Sequence, residues 1–222
     1  GALCLSGLVG LVAARSGGSL SCADFEAAKS IGGAGGMVSL AVLGFGTKPG
    51  LMPMHVWLPE AHPVAPSHVS AFMSGAMINA GVYGLFRCLE FFGPPELWWA
   101  YLLICLGALS ALLGIMLAMV QNDLKRSLAY SSVDNMGIVH LAAGFGIYAA
   151  VSGNHGLSIL CFTAGLLHLF NHSLYKSLLF LSAGSVLSRT GTAELSQLGG
   201  LQKRMPVVGC CFALGAASIA AL

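Results

Sequence analysis

The chain has 222 residues, 56% of them hydrophobic and only 8% charged. A soluble domain carries ~25% charged residues, so a water-soluble globular domain is excluded. The net charge of +2, with no polybasic cluster, gives no footing for nucleic acid. Apolar stretches that reach the ~20 residues a spanning helix needs, with no alternating strand pattern beside them, predict an all-α polytopic membrane protein in a lipid bilayer. The 30 glycines suit close helix packing in a membrane. Cys4, Cys22, Cys88, Cys105, Cys161, Cys210 and Cys211 form no CxxC and fall mostly in apolar runs, which argues against an iron–sulfur or zinc site in this chain.

In chain order, residues 1–14 read as the tail of a truncated span, followed by a mixed polar connector over 15–30. The next span, 31–57, places Lys48 beside Pro49 and Gly50, with Pro53 close behind. Proline removes a backbone donor and clashes with the preceding turn, so this helix is expected to break near Lys48. Broken helices at membrane depth line cavities or binding sites, which makes Lys48 a candidate proton carrier. A lysine snorkelling to the interface from a short span is the alternative. Pro59, Glu60, Pro63 and Pro66 then predict a stiff turn before the span 67–86, with Asn79 near its middle. The span 97–120 is uncharged, with Trp98, Trp99 and Tyr101 as an aromatic belt at one end. The loop 121–126 puts Asp123, Lys125 and Arg126 at the membrane surface, and the span 127–151 carries Asp134 and His140. These two are six residues apart and so on different faces; Asp134 reads as a cap or surface residue and His140 as a core hydrogen bonder.

The span 157–187 is apolar except for a row at His168, His172 and Lys176. Four-residue spacing stacks the three on one helix face, ~6 Å apart along the axis. Ionisable groups inside a membrane span are costly and mark functional sites. Imidazole titrates nearest neutrality and a desolvated amine moves towards that range, so the row reads as a proton relay. HxxxH is also a metal-ligand spacing, and buried histidines also serve as interhelical hydrogen bonders. A polar connector leads to a last, truncated span over 206–222. Alternating connectors put Lys125, Arg126, Arg189, Lys203 and Arg204 on one face, assigned to the cytoplasm, against Arg15, Lys29 and Arg87 on the other. Because it starts and stops in apolar stretches, the chain is expected to be a fragment of a single transmembrane domain.

Three ordered blocks, GFGTKPGLMPMHVWLPEAHPVAPSHVSAFMSGAMINAGVYGLFR, QNDLKRSLAYSSVDNMG and LLHLFNHSLYKSLLFLSAGSV, resemble the antiporter-like, proton-conducting membrane subunits of respiratory complex I and its relatives. The wording AHPVAPSHVSAFMSG is similar to that of the large membrane subunit of membrane-bound [NiFe] hydrogenases, of the formate hydrogenlyase and hydrogenase-4 component B type. The resemblance implies two inverted five-helix repeats, each with a broken helix, and a hydrated line of Lys, His and Glu at the membrane midplane. It places Lys48 on the broken-helix lysine, His168, His172 and Lys176 on the relay between repeats, and Glu60 on the acidic residue of a structural turn. Some relatives have a lysine where this chain has Asn79. The glutamate that pairs with the broken-helix lysine is expected before Gly1, and the second broken helix after Leu222, so these residues alone are not expected to conduct.

The resemblance further implies a subunit without a redox cofactor, in the cytoplasmic (inner) membrane of a prokaryote. Its partners would be other membrane subunits and a peripheral hydrogenase arm that holds iron–sulfur clusters and the [NiFe] centre. Two other readings stand beside this one: a cation/proton antiporter subunit of the multi-subunit type, and a structural membrane anchor of a redox complex.

Overall fold

A computed structural model describes residues 1–15, 17–18 and 34–220. Its elements are α1 (Ala2–Arg15), α2 (Ala34–Thr47), α3 (Trp57–Val64), α4 (Ser67–Phe91), α5 (Leu97–Met119), α6 (Leu124–Val151) and α7 (His155–Thr190). A 3-10 turn (Leu195–Gln197), the short α8 (Leu201–Arg204) and α9 (Pro206–Ile219) complete the order. No strand occurs among the described residues; Asp123 and Glu194 form an isolated antiparallel bridge. The connector expected over 15–30 lies largely outside the described residues.

Local chemistry sets the helix ends. The Asp123 side chain caps α6 by accepting the Arg126 amide at 2.8 Å, and Asn154 caps α7 by accepting Leu157 N at 3.1 Å. Gly191, with φ 74°, closes α7 in the left-handed conformation that glycine adopts without strain. Of the expected spans, 31–57 is not one helix: α2 ends at Thr47, the chain turns through 48–56, and α3 starts at Trp57. The others run as α4 to α7, with α7 extended to 36 residues. That is ~54 Å at the standard rise, well beyond the ~30 Å hydrocarbon layer.

α4, α5 and α7 are long and apolar enough to cross a membrane. α6 is as long, with 28 residues, but carries the polar side chains and lies between α5 and α7. The α5–α6 contact is the closest in the bundle. Gly107 on α5 faces Gly137 on α6, while Gly114 meets Asp134 and Gly144 meets Ile104 and Ala100; a Cβ on Gly137 would stand 2.5 Å from Ala111 N, and one on Gly114 2.6 Å from Asp134 N. Only hydrogen fits there.

The core divides into patches along the bundle. One holds Val38, Val42, Trp99, Leu103 and Ile147; a middle one holds Met52, Leu58, Ile78, Val82 and Met136; a third holds Leu128, Tyr175, Leu179 and Phe180. Large apolar side chains such as Leu112, Met116, Ile159, Leu167 and Phe170 face outward. Apolar residues on the outside and polar ones between helices are what a hydrocarbon solvent selects.

Candidate proton-transfer path

Helix α2 ends where the prolines and glycine demand it. Pro49 and Gly50 follow Lys48, and Gly50 takes φ 76°. The freed backbone groups are taken up inside the chain: the Trp57 indole donates to Thr47 O at 2.7 Å, and Met52 N donates to Ser110 Oγ at 2.9 Å. Ser110 lies near the middle of α5, so the break sits at the middle depth of the bundle. The turn rests on Gly81 of α4, where a Cβ would come within 2.8 Å of Lys48 Cβ and 2.5 Å of Pro49 Cδ. Lys48 itself is exposed on the outer face of these residues.

On α7 the row is laid down as its spacing requires. His172 and Lys176 are fully buried and His168 partly so. Lys176 Nζ donates to Leu128 O at 2.9 Å and to Ser131 Oγ at 2.8 Å, both on α6. His168 Nε2 lies 2.9 Å from Asn135 Oδ1, which also accepts the Tyr175 hydroxyl at 2.6 Å. With Asn135 Nδ2 donating to Ser131 O at 2.7 Å, the amide oxygen is the acceptor and the His168 ring proton belongs on Nε2. Ser131 and Asn135 therefore bridge His168 to Lys176 along α6. His172 lies between them with neither ring nitrogen hydrogen-bonded, its ring centroid 5.5 Å from that of Tyr175. No cluster of His, Cys, Asp and Glu that could hold a metal ion occurs among the described residues.

The remaining residues singled out in the sequence fall around this seam. Asn79 on α4 donates to Gly75 O at 2.9 Å and to Ser173 Oγ at 2.6 Å, beside His172 in sequence. Helix α4 thus stands between the break and the row, with Gly81 facing Lys48 and Asn79 reaching α7. Asn79→Ala is expected to leave proton transfer by the full-length subunit largely intact while costing about 1 kcal/mol per lost hydrogen bond; vesicle proton flux per assembled complex checks it. A loss as large as that from removing Lys48 would mean that the amide orders an essential water chain. Asp134 is neither a cap nor a surface residue. It is half-buried in mid-α6, and it and Lys176 act on each other through their charges. His140 is a buried core hydrogen bonder, its Nδ1 2.7 Å from Met136 O. Glu60 accepts a bond from Arg126 Nη2 at 2.7 Å, tying α3 to the start of α6 at the surface.

Several polar residues of the seam lie outside those singled out. Ser131 and Asn135 carry the bridge, and Ser74 and Ser132 share a buried hydrogen bond at 2.9 Å. Lys125, expected at the membrane surface, is buried in the first turn of α6 with its Nζ 2.6 Å from Ala65 O. His62 is buried against Phe180. The polar spacing at 131 and 135 on α6 was the available signal.

With this geometry in place, comparisons with known proteins give a consistent answer. Residues 19–222 match the family described as NADH:quinone oxidoreductase/Mrp antiporter, TM. The chain is 42% identical over 217 residues to hydrogenase-4 component B of Escherichia coli (strain K12), covering 96% of this chain and 32% of that protein. It is 39% identical over 183 residues to formate hydrogenlyase subunit 3 of the same organism, covering 82% of this chain and 30% of that protein. The chain thus spans about a third of the length of these relatives. The solved Mrp complex from Dietzia sp. DQ12-45-1b has a similar fold, with a TM-score of 0.80 at 23% identity over 98% of this chain and 40% of that one. A bundle of apolar helices with one broken at Lys48, matched by the family model over residues 19–222, belongs to the NADH:quinone oxidoreductase/Mrp antiporter family of multi-pass membrane proteins.

Proposed function

We propose that the chain is the proton-translocating part of the large membrane subunit of a redox-driven complex, of the membrane-bound [NiFe] hydrogenase or formate hydrogenlyase kind. The observation that carries this is Lys176. It is fully buried and hydrogen-bonded to a carbonyl and a hydroxyl rather than to a carboxylate, in line with a His172 whose two ring nitrogens have no partner. A cation buried without an ion-pair partner is costly, and inside a membrane span that cost is characteristic of a transport site. The identities to hydrogenase-4 component B and formate hydrogenlyase subunit 3 support the choice of complex.

In this reading Lys48 loads a proton at the helix break, and His168, His172 and Lys176 pass it along α7, with Ser131, Asn135 and Tyr175 orienting the groups. Redox chemistry belongs to partners: a peripheral arm with iron–sulfur clusters and a [NiFe] centre, together with further membrane subunits, in a prokaryotic inner membrane. The test is redox-driven proton movement in vesicles carrying the complex with the full-length subunit. Movement coupled to hydrogen turnover and independent of sodium is expected. Sodium-dependent exchange without redox turnover would give the antiporter reading instead. Lys48→Ala is expected to abolish or strongly reduce the movement in an assembled complex, and Lys48→Arg to rescue poorly, because guanidinium keeps its proton. Unchanged pumping by Lys48→Ala would remove the break from the path.

A further inference from the structure

Where α7 ends, two cavities adjoin and share Arg189, Arg204 and Met205. The larger, of 890 Å³, runs between α7, α9 and the start of α4, and Leu181, Leu187, Val207 and Val208 make it mostly apolar. The smaller, of 660 Å³, lies against the connector to α8 and is mostly polar, with Thr190, Thr192 and Gln197 in its wall. Both guanidinium-bearing residues therefore stand where an apolar cavity meets a polar one. The apolar cavity is also continuous with the outside of the bundle: Leu181 is 50% exposed and Val207 74%. Leu181 lies ~12 Å inward from Arg189 along α7 at the standard rise. That is close to the depth of one leaflet's hydrocarbon, half of ~30 Å.

The carboxylates at this end of the bundle are engaged elsewhere. Asp123 caps α6, Glu60 pairs with Arg126, and Glu194 accepts a bond from Gln197. Arg189 and Arg204 have no ion-pair partner among the described residues. A single arginine at a helix end needs only water around its head. Two that line one cavity repel each other, and an anion between them removes that cost.

We propose that this double cavity holds one anionic phospholipid of the bilayer. Its phosphate lies between Arg189 and Arg204, the rest of its headgroup in the polar cavity, and an acyl chain along Leu181 and Val207. Guanidinium matches phosphate oxygens with paired donors, and basic pockets between membrane helices take anionic headgroups. An acidic protein segment satisfies the charge alone, whereas the lipid also covers the apolar wall that opens toward the hydrocarbon. Seated there, it bridges α4, α7 and α9 at one end of the bundle. The proposal is independent of the proton path and stands if that reading fails.

The test is native mass spectrometry of the full-length subunit in mild detergent, titrated with dioleoyl phosphatidylglycerol or dioleoyl phosphatidylcholine. The parent is compared with Arg189→Gln/Arg204→Gln and with Lys203→Gln, which removes a neighbouring exposed cation that lines neither cavity. The parent is expected to keep one more phosphatidylglycerol than the double variant, with that lipid bound about tenfold or more tightly. Lys203→Gln is expected to match the parent, and phosphatidylcholine to bind all three alike. If the double variant does not fold, Arg204→Gln alone takes its place, with the same lipid expected to be weakened. Equal phosphatidylglycerol binding in parent and variant overturns the site. An equal loss in Lys203→Gln overturns it too, since diffuse surface charge then does the binding. Displacement of the lipid by glycerol phosphate alone would make the cavity a small-anion site and remove the acyl chain from it. Loss of a partner subunit from the assembled complex of the double variant, with lipid content unchanged, would give the arginines to a protein contact instead.

Discussion

Lys176→Met is expected to lower proton transfer by the full-length subunit at least about 100-fold, with the complex assembling normally. The two halves of this expectation separate function from structure. Methionine fills the space of the lysine stem, and replacing a buried charge by an apolar chain of similar volume is often neutral or stabilising. Of the oxygens left behind, Leu128 O keeps a partner, since it also receives the Ser132 hydroxyl at 3.1 Å; Ser131 Oγ loses the lysine as its donor. The proposed proton path, in contrast, loses the only amine of the row. Pumping in vesicles, set against complex content by quantitative blotting, reads both quantities. A variant that assembles poorly but pumps normally per complex would make Lys176 a structural residue.

Gly137→Leu is expected to have a comparable effect by a different route, preventing assembly altogether. At Gly137 a Cβ would meet Ala111 N at 2.5 Å and Gly107 O at 2.7 Å, backbone atoms that no side-chain rotation moves. Ordinary overpacking costs about 1–3 kcal/mol; here two helices must part along the closest contact of the bundle, so the cost is expected at or above the top of that range. Parting them also displaces α6, and with it Leu128, Ser131 and Asn135. The measurement is the yield of folded subunit in detergent and in the membrane complex. Normal yield would show that α5 and α6 can separate without loss.

The break at Lys48 and the row on α7 were legible because each is written locally. Proline and glycine act on the turn they occupy, and four-residue spacing is read within one helix. What the sequence concealed is how those residues are held. His168 finds its partner 33 residues away and Lys176 48 residues away, on another helix, and the polar spacing at 131 and 135 does not say which helix those residues face. Lys125 was misplaced for a related reason. Set among Asp123 and Arg126 it looks like part of a surface loop, yet the first turn of α6 carries it inward to the end of α3. The π-helical turn at Met73–Met77, where α4 passes Ser173 and Ser177, has no sequence sign; it answers to the close approach of α7 at Gly75.

The way the break in α2 is closed has a mechanical consequence. Straightening the helix would release the Trp57 indole from Thr47 O and Met52 N from Ser110 Oγ, at a depth where no bulk water replaces them. Each orphaned group there costs several kcal/mol, more than a single proton arriving nearby supplies. The kink is therefore a rigid joint rather than a spring, and the Lys48 backbone keeps its depth through a working cycle. In the proposed relay, switching between proton uptake and release would then be left to the lysine's own flexible stem, the orientation of imidazole rings and the wetting of the gaps between them.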